Sequence, residues 1–133
     1  MSGRTLGLVT LVVADYDEAL AWYRDRAGFK VVEDSDLGGG KRWIVIAPSP
    51  AGGARLLLAK AVGADQAAAI GNQAGGRVGF FLATDDFDRD HAAMLAAGVA
   101  FREPPRHEDY GTVAVFADLY GNLWDLIEHR RQG

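Results

Sequence analysis

The chain has 133 residues, a formal net charge of −4 and no cysteine. Its length fits one ordinary domain, and its mild acidity argues against nucleic acid or an anionic membrane as a partner. The lack of thiols excludes disulfides, thiolate catalysis and thiolate metal sites.

Residues 6–14 are apolar and β-branched and read as a buried strand. Asp15 then stands where a helix N-cap would, and Glu18 follows at capping-box spacing. The helix predicted over 15–26 carries an apolar stripe of Ala19, Leu20, Trp22, Tyr23 and Ala27, and Gly28 closes it. Strands are predicted over 29–33, 42–47 and 54–61, separated by a polar turn at 34–40 and a loop at 48–53. Residues 62–76 break the pattern. They hold one or two helical turns at 65–70 and read as a linker.

A strand over 78–84 follows, then a helix capped by Asp85 or Asp86 and ending near Gly98, then a strand over 99–102. Residues 103–110 cannot form a central strand, because Pro104 and Pro105 have no N–H to give to a ladder. Residues 111–117 are the next strand. Gly121-Asn122 is turn chemistry feeding a last strand, whose apolar run is interrupted by Asp125. Leu123, Asp125 and Ile127 share one face of it, and Trp124 and Leu126 share the other. Residues 130–133 are expected to fray. Trp22 and Trp124 read as core, His91 as solvated on a charged helix face, and His107 as a loop residue.

The order is strand-helix-strand-strand-strand, twice, with eight strands and two main helices. Asp15-Tyr-Asp17 matches Asp86-Phe-Asp88, and Gly28 matches Gly98. Gly53 and Gly121 stand 68 positions apart, as do Leu57 and Asp125. A repeat of this length is not a solenoid unit and indicates two related modules. Module one spans about 4–61, the linker 62–76 and module two about 77–129, within one domain over 1–133. No segment approaches the roughly 18 apolar residues of a membrane span, and the first residues lack a signal-peptide run, so a cytoplasmic location is expected.

Val9-Thr-Leu-Val-Val-Ala-Asp15, Ala21-Trp-Tyr23 and Gly28-Phe29 resemble the opening of vicinal oxygen chelate proteins, the glyoxalase, bleomycin-resistance and extradiol-dioxygenase superfamily. Thr84-Asp-Asp-Phe87 with Gly98-Val99 resembles the start of its second module. Tyr110-Gly-Thr-Val-Ala-Val-Phe116 and Asp118-Leu-Tyr-Gly-Asn-Leu-Trp-Asp-Leu126 resemble its end, especially in small bacterial glyoxalase-like proteins. The resemblance covers about residues 4–129. It implies an α+β fold of two βαβββ modules, with curved mixed sheets forming a partial barrel, helices outside, and a homodimer. It also implies four metal-ligand positions, which fall here on Leu8, Leu57, Gly79 and Asp125. Three of the four have no ligating side chain, so no divalent metal and no other cofactor is expected.

By strand parity the cavity face is mostly apolar, with Thr10, Arg55 and Asp125 as polar points, Phe81 beside them, and Trp43, Tyr110 and Glu103 at the rim. Thr10, Trp43, Arg55, Phe81, Tyr110 and Asp125 are the candidate ligand-binding residues. An apolar pocket with few converging polar groups is the usual form of a small-molecule site. Asp125 is the candidate acid/base. A carboxylate on such a face needs a partner or a raised pKa, and Arg55 is the partner expected by parity. The expectation is a protein that binds a small organic molecule without the usual metal. The alternative is a glyoxalase-like lyase or isomerase that uses Asp125 as acid/base or an unrecognised metal site. A homodimeric partner is expected, and neither nucleic acid nor membrane.

Overall fold

Two copies of one supersecondary unit account for the chain, which divides between Ile70 and Gly71. The computed structural model describes residues 3–130, so the expected fraying of 131–133 lies outside the described residues. The first unit contains β1 (Leu8–Val13), α1 (Tyr16–Asp25), β2 (Lys30–Gly38), β3 (Lys41–Ala47), β4 (Arg55–Lys60) and a short α2 (Gly63–Ala69). The second contains β5 (Val78–Ala83), α3 (Phe87–Ala96), β6 (Ala100–Phe101), β7 (Arg106–Glu108), β8 (Gly111–Ala117) and β9 (Leu123–His129). The fold is α+β.

Each unit has its own mixed sheet. The first runs β1-β4-β3-β2, with β1 parallel to β4 and the other pairs antiparallel. The second runs β5-β9-β8-β6, with β5 parallel to β9, and β7 pairs β8 beside β6. Both main helices start as their caps dictate. The Asp15 carboxylate accepts from the Glu18 N–H at 2.8 Å, and the Asp86 carboxylate accepts from the Arg89 N–H at 3.1 Å.

Side-chain alternation separates two faces of each sheet. In module one, Leu11, Val13, Ile44, Ile46, Leu56 and Leu58 are buried, and α1 adds Tyr16, Ala19, Leu20 and Tyr23. In module two the matching layer holds Ala114, Phe116, Trp124 and Leu126, with Phe87 and Met94 from α3. Phe116 and Trp124 stack at 5.8 Å between centroids. The opposite faces carry the candidate site residues.

The structure departs from the sequence reading at several points. Nine strands form among the described residues where eight are predicted, and a third helix occupies part of the linker. β2 runs through Gly38 although its second half is polar. It is an edge strand with both faces largely wet, so it needs no apolar alternation. Arg42 holds it across the hairpin through Asp34 at 2.8 Å and reaches Asp17 of α1, also at 2.8 Å. Trp22 is only half-buried, because Tyr23 takes the core position. His91 is not simply solvated. It stacks on Phe87 at 5.2 Å and meets Phe101 edge-on at 4.6 Å. His107 lies in β7, its Nδ1 3.3 Å from the Thr112 hydroxyl. β7 itself is an edge segment, consistent with the prolines before it.

Candidate functional site

The turn that leads into β9 is built by one side chain. Asp118 is buried, and its Oδ1 accepts from the backbone N–H groups of Tyr120 and Asn122, both at 2.9 Å. Its Oδ2 accepts from the Asn122 amide at 2.8 Å. Both oxygens are thus committed to the turn, and β9 leaves it in a fixed register against β8 and β5.

That register places Asp125 opposite Val115 on one side and Phe81 on the other. Strand alternation then puts Phe81, Asp125 and Val115 on the face away from α3. Phe81 is 65% exposed. Asp125 is half-buried, and its Oδ1 is a buried oxygen with no hydrogen-bond partner among the described residues. Desolvation pushes its pKa up. The Arg106 charge pulls it down and the Glu103 charge adds to the rise, so the net direction is upward.

Glu103 and Arg106 arrive there because the edge strand is broken. β6 ends at Phe101 and β7 begins at Arg106, with Pro104 and Pro105 between them. Arg102 still donates its N–H to the Val115 carbonyl at 2.8 Å. No strand carbonyl then meets the Val115 N–H, and the Glu103 carboxylate accepts it at 3.2 Å. Arg106 holds both oxygens of Glu103, at 2.9 and 3.0 Å. The Arg106 guanidinium is held protonated by Glu103 first, with Tyr110 adding to the effect. Module two therefore presents an open face with a partnerless acid, an acid-base pair, an exposed ring and the Tyr110 phenol.

Of the six candidate ligand-binding residues, Phe81 and Asp125 are neighbours, and Tyr110 joins them through Arg106. Thr10, Arg55 and Trp43 lie together on the corresponding face of module one, where Leu8 pairs Arg55, Thr10 pairs Leu57 and Ser35 pairs Trp43. Within its own module, the charges that act on Asp125 are those of Arg106 and Glu103. Asp125 has the raised pKa that sequence reasoning offered as the alternative to a partner. Arg106 is the residue that reasoning missed. Its signal was a proline pair that ends one edge segment and re-aims the next. Among the described residues, no three His, Asp or Glu side chains converge as a metal site. Leu8, Leu57 and Gly79 carry no metal-ligating side chain.

Two concavities indent module two elsewhere, and Asp125 lines neither. One, of about 500 Å³, lies among Thr84, His107, Glu108, Thr112 and Glu128. The other is about 230 Å³.

The model of the Glyoxalase/Bleomycin resistance protein/Dioxygenase superfamily matches residues 5–126. The chain belongs to this superfamily. A Shewanella frigidimarina protein is 52% identical to it over 121 residues, 90% of each chain. The crystal structure of UcmS2 superposes with a TM-score of 0.80 at 30% identity, over 96% of this chain and 98% of UcmS2. TnmS3, described as an antibiotic binding protein from Streptomyces sp. CB03234, superposes with a TM-score of 0.76 at 28% identity, over 98% and 99%. No helix of this superfamily member is long and apolar enough to cross a membrane, among the described residues.

Proposed function

We propose that this member of the superfamily binds a small organic molecule on the Asp125 face of module two, without a divalent metal. One observation carries the reading. A buried carboxylate oxygen has no partner, beside a ring that is 65% exposed. A half-buried acid with a bare oxygen is costly unless a ligand completes it. A flat, partly apolar ligand that donates to the half-buried Asp125 carboxyl, with a small shift of that side chain, and lies on Phe81 satisfies both features. TnmS3 supports binding as the function class, since it is an antibiotic binding protein of the same fold.

The test is a small-molecule screen by tryptophan fluorescence on wild type and Asp125→Asn. Ligands of this site lose about tenfold or more in affinity in the variant, the worth of one hydrogen bond to a charged or strongly polar group. Hits that bind both proteins equally would end the assignment. The lyase or isomerase reading rests on the raised pKa of Asp125, which suits a general acid/base near neutral pH. It is distinguished by turnover of a bound hit that is lost in Asp125→Asn.

Titration with nickel, zinc, manganese and magnesium is expected to leave the melting temperature unchanged. A rise with one ion, abolished by Asp125→Ala, overturns the metal-free reading. The same reading includes a homodimer, since the site faces are apolar and wet: Leu8 is 38% exposed and Trp43 36%. Sedimentation at micromolar concentration is expected to show two chains, burying more than ~1,000 Å², and a monomer contradicts it.

A further inference from the structure

The smaller concavity of module two has a wall made from the segment that the sequence presents as a linker. Gly71, Asn72, Ala74 and Gly76 line it, facing Arg77, Arg102 and the turn at Gly121-Asn122. The wall is closely fitted. A Cβ added to Gly71 would lie 2.1 Å from the Tyr120 carbonyl oxygen, and Gly71 has φ +71°. A Cβ on Gly79 would lie 2.9 Å from that of Ala74. Only glycine permits both approaches. The backbone thus seats on one side against the Asp118 turn and on the other against β5.

Arg77 and Arg102 both line this concavity, and no carboxylate does. Elsewhere Arg24, Arg42, Arg89 and Arg106 each hold a carboxylate within 3.0 Å, while Arg4, Arg55 and Arg130 enter no ion pair among the described residues and line neither concavity with a second arginine. Arg77 and Arg102 enter no ion pair among the described residues, in a chain with 18 acidic against 14 basic residues. Acids are in excess, yet none is placed against these two. Two guanidinium groups on one concavity repel each other until an anion enters between them. The guanidinium fork matches the oxygens of an oxyanion bidentately. At about 230 Å³ the space is smaller than the roughly 300–1,000 Å³ of a site for a drug-sized ligand. It suits a charged group and its first atoms.

We infer that Arg77 and Arg102, against the Gly71–Gly76 wall, form an oxyanion site for a phosphate-type group. It uses none of Asp125, Glu103 or Arg106, so it stands or falls apart from the proposed function.

The experiment uses the full chain with inorganic phosphate, compared with sodium chloride at equal ionic strength. Binding is read by melting temperature and by broadening of the phosphorus NMR line. Phosphate, and not chloride, is expected to raise the melting temperature of wild type and of Arg4→Gln. Half-saturation shifts upward about tenfold in Arg77→Gln and in Arg102→Gln, as the loss of one charge-assisted contact predicts. Gly79→Ala weakens binding with both arginines present, because the wall has to move, and circular dichroism checks that each variant is folded. Phenyl phosphate separates sources: tighter binding than phosphate assigns the site to a phosphoester ligand, and equal binding assigns it to free phosphate. An equal response to chloride, or unchanged half-saturation in both arginine variants, overturns the site.

Discussion

Module one and module two share strand order and the parallel pairing of first and last strands, but they finish their outer edge differently. In module one, β2 is one nine-residue strand laddered to β3. In module two, the same edge is split into two residues of β6 and three of β7 around Pro104-Pro105. The continuous edge spends its hydrogen-bonding groups on scaffold. The split edge leaves the Val115 N–H to a side chain, and the side chain that takes it brings charge to the open face. At the center of each sheet the contrast repeats, with Leu57 in one module where Asp125 stands in the other. A duplicated fold thus keeps one edge continuous while a local break brings the Glu103–Arg106 pair to the face of the second copy.

Equivalent substitutions test how far the two modules match. Leu58 and Leu126 stand 68 positions apart and are 1% and 0% exposed. Truncation of either to alanine is expected to cost about 2–5 kcal/mol, read by urea denaturation. Similar costs show equivalent cores, and a cost below about 1 kcal/mol at one of them breaks the equivalence.

The edges should then diverge. Glu103→Ala bares the Val115 N–H and removes the main partner of Arg106, at about 1–3 kcal/mol. Glu33→Ala, at the matching place in the unbroken edge, is expected to stay within about 0.5 kcal/mol. In Glu103→Ala the Asp125 pKa falls, because a negative charge that raises it is gone. Carbon NMR titration reads that shift, and an unchanged or higher value contradicts the electrostatic link.

Asp125 gives a smaller effect whose sign depends on pH. Its folded pKa lies above the ordinary value, so the folded chain holds this proton more tightly than the unfolded one. The stability it contributes is full below the unfolded pKa and is lost as pH rises through the folded pKa. Asp125→Asn should therefore melt higher than wild type near neutral pH and match it in acid. A variant that melts lower at neutral pH indicates an ion pair instead. Smallest of all is Phe81→Ala, expected within about 0.5 kcal/mol of wild-type stability because the ring is already wet. It should nonetheless weaken binding of any ligand that Asp125 anchors.

The module repeat was legible because caps and strand parity are local rules. Asp15 caps as its spacing indicated, Asp86 is the one of two candidate caps that does so in module two, and the parity of β9 placed Asp125 and Phe81 on one face. What was not legible lay where tertiary contacts overrode composition. β2 is polar yet forms a strand, because an edge needs a neighbour more than a buried face. Arg106 was hidden because its placement follows from a break in pairing, which no periodicity encodes. The Gly71–Gly76 run looked like slack, since only the neighbouring carbonyl of Tyr120 shows that glycine is required there.

The parallel pairing of β5 with β9 has a consequence for a chain emerging from a ribosome. β5 has β9 as its strand neighbour, and β9 is made after every other strand of the described residues. After Ala83 is synthesised, β5 must wait for some forty more residues before its ladder can close. Through that interval its Phe80-Phe81-Leu82 run is an unpaired apolar edge, the kind of surface that chaperones and aggregation compete for. Premature termination before Leu123 would leave that edge permanently open, so the residues of β9 guard solubility as much as they hold the register of the sheet.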